Sequence, residues 1–319
     1  MTDLFHEIPG NPAPEQAKCG SFAAHDGKRL RYALFPATSH PIKGTLVLLP
    51  GRNEAIEKYF ETARDLAAGG LAIATFDWRG QGGSERLLRD GHRGYVKSFD
   101  HYARDLEAFF EQIVLPDCRG PYFLLAHSSG ALIALLSAPA MANRIQRMVL
   151  VAPFLSTVGV PASMKTIRRL GTLLSCLGLG RLYAAWGPRP RQGTPFEDNK
   201  LTSDERRYRR NMLLYETHPE LSVGGPTIAW LTAAASASEK VRDPAFMASL
   251  KVPMLIVTAG ADEVVSRKVA EDYAARLRLA TLLTVDGSRH EILQEADIYR
   301  EQLLAAIKAY LPGTPATVD

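Results

Sequence analysis

Cysteine is scarce in this chain: Cys19, Cys118 and Cys176 are three in number, far apart and without metal-ligand spacing. That pattern argues against a disulfide framework or a cysteine-based zinc site, and a reducing, cytoplasmic setting is expected. No apolar run approaches the roughly 20 residues a spanning helix needs. Residues 1–20 carry Asp3, Glu7 and several prolines where a secretory leader would have a basic stretch and then an apolar one, so no leader is expected. A strong net charge is missing as well. A formal +4 over 319 residues is too mild to imply nucleic acid.

The charge is unevenly placed. Residues 161–210 hold 11 Lys plus Arg against 4 Asp plus Glu, so the remainder is net acidic. The densest part is Arg206-Arg207-Tyr208-Arg209-Arg210, which is either a solvated helix face or a contact for an anionic headgroup or membrane surface. On the second reading Arg207 and Arg210 are candidate substrate-binding residues.

Short β-branched or leucine-rich runs alternate with longer amphipathic stretches, the pattern of an α/β fold with a mostly parallel central sheet and helices on both faces. Strands are expected over Leu30 to Leu34, Thr45 to Leu49, Leu71 to Phe76, Tyr122 to Ala126, Met148 to Val151, Pro253 to Thr258 and Thr281 to Val285. Helices are expected over Ile56 to Ala68, Ser98 to Ile113, the stretch after Ser128, Ser266 to Leu277 and Glu295 to Tyr310. From Phe154 to Met247 strand-like runs give way to helical periodicity. This predicts a core of residues 21–153 and 248–312 interrupted by a helical cap over 154–247, with mobile tails at 1–20 and 313–319.

The segment Tyr122-Phe123-Leu124-Leu125-Ala126-His127-Ser128-Ser129-Gly130 carries the strongest functional signal. An apolar run breaks at a serine flanked two positions away by small residues, Ala126 and Gly130, and passes straight into helix-like sequence. A serine on such a sharp strand-to-helix turn projects its hydroxyl from the sheet edge. Ser129 would have the bulky His127 at that flanking position, so Ser128 is the candidate nucleophile. The other reading is a helix capped by a serine.

A serine hydroxyl needs a base to take its proton and a carboxylate to orient that base. In this architecture both follow the serine, acid before histidine. Asp262 lies just after the strand Pro253 to Thr258, and His290 just after Thr281 to Val285. Asp286 and Glu263 are alternatives for the acid, and a surface-loop role is the alternative for His290. Two backbone amides are needed for the oxyanion. One is expected from Ser129, the other from Arg52 in the turn Leu49-Pro50-Gly51-Arg52-Asn53-Glu54, where Gly51 would let substrate approach and Arg52 is otherwise a loop cation. The turn Asp77-Trp78-Arg79-Gly80-Gln81-Gly82-Gly83-Ser84 is glycine-rich but has neither the third glycine of G-x-G-x-x-G nor the Lys-Ser/Thr of a P-loop. It is expected to be a rigid turn under the cleft.

Assembled, these residues resemble the α/β-hydrolase fold, and more closely the monoglyceride lipase and bacterial lysophospholipase group, over about Gly44 to Tyr310. The resemblance rests on Pro50-Gly51-Arg52 through Lys58-Tyr59, Asp77-Trp78-Arg79-Gly80-Gln81-Gly82 with Ser84, and Ala126-His127-Ser128. It also rests on Arg207-Tyr208-Arg209-Arg210-Asn211 and Val223-Gly224-Gly225-Pro226-Thr227 within the cap. It implies a triad of Ser128, Asp262 and His290, oxyanion amides at Arg52 and Ser129, and a serine hydrolase that cleaves lipid esters through an acyl-enzyme without metal or cofactor. Small-ester or aminopeptidase activity is the alternative within enzymes, and a non-catalytic lipid-surface binder the alternative outside them. The cap stretch Leu170, Leu173, Leu174, Leu177, Leu179, Leu182, Tyr183 and Trp186 reads as an acyl groove, a peripheral contact with the inner membrane face, or cap-core packing. Acyl-chain length, headgroup and oligomeric state are not legible.

Overall fold

Strand β3 (Gly44–Leu49) is buried along its whole length, as an unbroken Leu-Val-Leu-Leu run requires when both faces of a sheet are covered. The computed structural model describes residues 4–159, 162–184 and 195–311. Seven further strands are β1 (Lys18–Ala23), β2 (Arg29–Phe35), β4 (Leu71–Phe76), β5 (Tyr122–His127), β6 (Ile145–Val151), β7 (Met254–Ala259) and β8 (Ala280–Val285). They form one sheet of order β1-β2-β4-β3-β5-β6-β7-β8. The β1/β2 and β2/β4 pairs are antiparallel, and all other neighbours run parallel.

Alternate residues of the central strands feed two separate cores. Leu46, Leu48, Phe123, Leu125, Val149 and Val151 point to one face; Val47, Leu49, Leu124, Ala126 and Leu150 point to the other. The helices follow in chain order as α1 (Phe60–Ala67), α2 (Phe99–Phe109), the single turn α3 (Leu115–Asp117) and α4 (Ser129–Met141). Then come α5 (Met164–Cys176), α6 (Glu205–Thr217), α7 (Ile228–Val241), α8 (Pro244–Ser249), α9 (Arg267–Ala274) and α10 (Asp297–Tyr310). Phe60, Leu66, Leu303 and Ile307 bring α1 and α10 onto the first face. Phe99, Leu106, Leu132, Leu135, Ala270 and Tyr273 bring α2, α4 and α9 onto the second.

Helices α5 to α8 occupy the connection between β6 and β7. Trp230, Ala233, Ala234 and Ala237 of α7 join the second core and so anchor this insertion. Helix α5 rides on α7: a side chain at Gly171 would collide with Thr232. Of its residues only Met164 and Gly171 are buried. Leu170, Leu173 and Leu177 are exposed.

Two expectations need correction. The helix expected over Ile56 to Ala68 begins as a 3₁₀ turn, Ile56–Tyr59, before α1. The segment 1–20, expected to be a mobile tail, packs against the fold from Leu4 onward. Phe5 meets Phe60 edge-on at 5.3 Å, the His6 amide donates to Glu57 Oε1 at 3.0 Å, Ile8 is buried beside Tyr208 and Tyr215, and residues 18–20 start β1. The apolar anchors are too few and irregularly spaced to give a periodic signal. Residues 313–319, like Trp186, Arg189 and Arg191 of the insertion, lie outside the described residues.

Candidate active site

Strand β5 ends at His127 and α4 begins at Ser129, leaving Ser128 alone in the turn at φ 52° and ψ −116°. Such a backbone costs a non-glycine residue on the order of 1–3 kcal/mol and persists only where its surroundings hold it. Here the Ser128 amide donates to the Val151 carbonyl at 2.9 Å, and the Ser128 carbonyl accepts from the amides of Ala131 and Phe154, each at 3.1 Å. Gly130 lets the turn close: a Cβ there would lie 2.5 Å from the Pro50 carbonyl oxygen.

The ends of three parallel strands bring the sequence-predicted triad together. His290 Nε2 lies 3.1 Å from Ser128 Oγ, and His290 Nδ1 lies 2.8 Å from Asp262 Oδ2. Asp262 Oδ1 accepts from the amides of Val264 and Val265 at 2.8 and 3.0 Å, which fixes the carboxylate plane. Burial opposes ionisation of Asp262, but the His290 hydrogen bond and charge together with the amides of Val265 and Val264 outweigh it and hold the pKa below the usual carboxylate value. Of the alternatives for the acid, Glu263 pairs with Lys200 at 3.2 Å and Asp286 is exposed.

The loop carrying Arg52 is clamped from below by the glycine-rich turn. Trp78 Nε1 donates to the Pro50 carbonyl at 2.8 Å, the Asn53 amide donates to Gln81 Oε1 at 2.6 Å, and the Ile56 amide donates to Asp77 Oδ1 at 3.0 Å. The Arg52 guanidinium lies over the Trp230 ring, 5.4 Å from its centroid, and donates to the Gly224 carbonyl. Ser129 opens α4, where helix geometry leaves amides without intrahelical acceptors. Gly51 does not line the cavity. A Cβ on it would lie 2.8 Å from Glu54 Oε2 and 2.9 Å from His127 Nδ1, so its small size serves that internal approach.

Behind the triad lies a buried charge cluster that sequence reasoning missed. Lys58 Nζ bridges Glu54 Oε1 at 2.7 Å and Glu291 Oε1 at 2.8 Å. Glu54 also accepts from the Gly51 amide and the Tyr59 hydroxyl, and His127 Nδ1 stands 3.2 Å from it. Burial works against a charged His127, yet the Glu54 carboxylate outweighs it and raises the imidazole pKa. Burial, reinforced by Glu54, pushes the Tyr59 phenol well above its ordinary value. The one sequence signal available was Glu54 and Lys58 at i,i+4 spacing.

Ser128 and His290 open into a cavity of about 470 Å³ walled by Phe154, Val158, Trp230 and Leu231. Among the described residues, Arg52 and Lys200 are the arginine and lysine that line it, beside Glu54, Glu263 and Glu291. Arg207 and Arg210, expected at the substrate, are elsewhere. Arg207 is buried and donates to Glu61, Asp204 and Asp297, while Arg210 Nη1 pairs with Glu61 at 2.5 Å. Burial opposes ionisation of Glu61, but its hydrogen bonds from Arg207 and Arg210 hold its pKa at about 2. These arginines join α6 to α1. Composition showed their charge but not their partner, which lies 146 residues from Arg207 and 149 from Arg210.

Sheet order, elbow and hydrogen-bonded Ser-His-Asp arrangement define the α/β-hydrolase class. A family model described as "Serine aminopeptidase, S33" matches residues 40–297. The chain belongs to that family and is a carboxylic ester hydrolase. Lysophospholipase L2 of Escherichia coli (strain K12) is 34% identical over 295 residues, covering 90% of this chain and 85% of the relative. Monoglyceride lipase of Homo sapiens is 25% identical over 92% of this chain and 89% of its own length. Among solved structures, a soluble variant of monoglyceride lipase from Saccharomyces cerevisiae superposes with a TM-score of 0.71 at 19% identity, covering 92% of this chain and 94% of that one. A carboxyl esterase from Bacillus coagulans gives 0.74 at 17% identity, covering 92% and 96%. Among the described residues no helix is long and apolar enough to cross a membrane.

Proposed function

We propose that the protein releases the fatty acid from monoacyl lipids, lysophospholipids in preference to monoacylglycerols, through an acyl-enzyme on Ser128. The observation that carries this reading is the continuous Ser128–His290–Asp262 hydrogen-bond chain at an apolar-walled cavity that also holds Arg52 and Lys200. His290 takes the proton of Ser128 Oγ as the oxygen attacks the acyl carbonyl, and Asp262 steadies the imidazolium. The amides of Arg52 and Ser129 hold the oxyanion. His290 then protonates the departing glycerophospho or glycerol oxygen, and water repeats the sequence to free the fatty acid.

Headgroup selection falls to the cations at the cavity and not to the arginines of α6. Lys200 is partly offset by Glu263, so Arg52 is the stronger partner for a phosphodiester. Exposed Leu173, Leu177 and Leu182, with the exposed cations Lys165, Arg169 and Arg181 close in sequence, suit α5 and the turn after it to a peripheral contact with an anionic bilayer.

Fatty-acid release from lysophosphatidylcholine, lysophosphatidylethanolamine, monoacylglycerol and short nitrophenyl esters, beside an amino-acid anilide, tests the proposal. It requires lysophospholipid turnover to lead, and Lys200→Met to lower it more than monoacylglycerol turnover. Turnover confined to short esters discards the lipid assignment, and preference for the anilide moves the chain to peptide substrates. Leu173→Ser with Leu177→Ser should lower sedimentation with anionic vesicles; unchanged sedimentation removes the membrane role.

A further inference from the structure

Three atoms of metal-ligating type meet beside a cavity that Ser128, Asp262 and His290 do not line. His6 Nδ1 lies 3.2 Å from His218 Nδ1 and 3.4 Å from Glu220 Oε1, and His218 Nδ1 lies 3.5 Å from the same oxygen. The triangle has the size of one face of a zinc tetrahedron. With metal–ligand bonds of about 2.0–2.1 Å at tetrahedral angles, neighbouring ligand atoms stand roughly 3.3–3.4 Å apart. We propose that His6, His218 and Glu220 bind a divalent ion of the zinc class, which fixes the N-terminal arm to the C-terminal end of α6.

The surroundings are those of a ligand set. His218 Nε2 faces the Glu7 carbonyl at 3.5 Å, the kind of outer partner that orients metal-bound imidazoles. His6 is placed by its own amide, held on Glu57, and the two rings meet edge-on at 69° with centroids 4.7 Å apart. Glu220 is 59% exposed, which leaves an entry path. His6 and Glu220 also border a cavity of about 390 Å³, so the fourth coordination position has room for water or an anion. Arg31, on the same cavity, has its charge offset by Glu57 and Asp77 at 2.7 and 2.6 Å. A second group, His25, Asp26 and His101, is less suited because Asp26 already accepts two hydrogen bonds from Arg79.

Two imidazoles and one carboxylate favour zinc, nickel or copper over magnesium or calcium, which take oxygen ligands. The ion would tie two segments 212 residues apart in the chain, adding a cross-link to the contacts of Phe5 and Ile8. Its effect is therefore expected on the arm and the insertion and not on the chemistry at Ser128.

The test is competition of the metal-free, full-length protein with a chromogenic chelator for Zn²⁺, repeated on His6→Ala, His218→Ala and Glu220→Gln, with His101→Ala as control. Expected are one zinc per chain, a loss of at least about tenfold in affinity for each ligand variant, retention in the control, and no competition from Mg²⁺ or Ca²⁺. Zinc should also slow proteolysis within residues 4–17 of the wild type and leave cleavage of His6→Ala unchanged. That readout holds even if a variant loses stability. Equal zinc affinity in wild type and His6→Ala, loss in the His101 control alone, or displacement by Ca²⁺ would overturn the proposal.

Discussion

His127 Nε2 lies 3.2 Å from the backbone carbonyl oxygen of His290. The residue before Ser128 therefore touches the segment that carries His290, and its other nitrogen meets Glu54 of the loop that carries Arg52. One buried imidazole ties together the segments that carry Ser128, His290 and Arg52. Two carboxylates, Glu54 and Glu291, surround the single Lys58 ammonium, and although burial works against a charged His127, the Glu54 carboxylate beside it raises the imidazole pKa.

Removing His127 should accordingly leave a buried carboxylate under-compensated. His127→Ala is expected to cost about 3–5 kcal/mol in urea denaturation and to lower kcat, because the His290 carbonyl loses its partner. The raised pKa of His127 sets the sign of the pH effect. Its contribution is fully present below the unfolded value of about 6.5 and is lost as pH rises through the higher folded value. His127→Gln should flatten stability against pH in that window; an unchanged profile would show that His127 is not the titrating group.

Asp262 holds the Nδ1 proton side of His290. Asp262→Asn is expected to lower kcat on the order of 10⁴-fold with little change in KM, measured on one soluble ester. Because the folded Asp262 pKa is depressed, its stabilising contribution is present above the unfolded value near 3.9 and is lost as pH falls through the folded one. A kcat within about tenfold of wild type would return Glu263 or Asp286 to consideration.

Glu61 on α1 carries Arg207 and Arg210 of α6. Its pKa drops from 4.5 to about 2, so the stabilisation it gives is complete above pH 4.5 and disappears as pH falls toward 2. Glu61→Gln should remove this dependence and loosen α6, read by hydrogen exchange at the amides of residues 205–217. Equal exchange in both proteins would assign the joint to other contacts.

Gly130→Ala places a methyl group against the backbone of Leu49 and Pro50. Neither is the flexible end of a side chain, so the loop that carries Arg52 must shift. A loss of about 1–3 kcal/mol in stability is expected, with a larger proportional fall in kcat than in substrate affinity.

The parallel sheet was legible because β3, β5, β7 and the second half of β6 are largely apolar runs, and Ser128, Asp262 and His290 stood out as candidates because each follows an expected strand. Strand β1 was not, since Lys-Cys-Gly-Ser-Phe-Ala has only Phe22 buried in its six positions and is held by pairing with β2. For Gly51 the sequence could not tell a close approach to substrate from the close approach to Glu54 and His127 that the structure has, because both ask for the same residue. Arg207 and Arg210 were misplaced for a related reason: a cluster of cations announces its charge in composition, whereas the acidic residue that neutralises it belongs to a distant helix.

The central assignment is tested most directly by mapping the adduct formed with a fluorophosphonate, which reacts with an activated serine. Expected is one adduct per chain on Ser128, absent from Ser128→Ala and formed much more slowly in His290→Ala. An adduct on Ser129, or labelling of Ser128 at the same rate without His290, would contradict it.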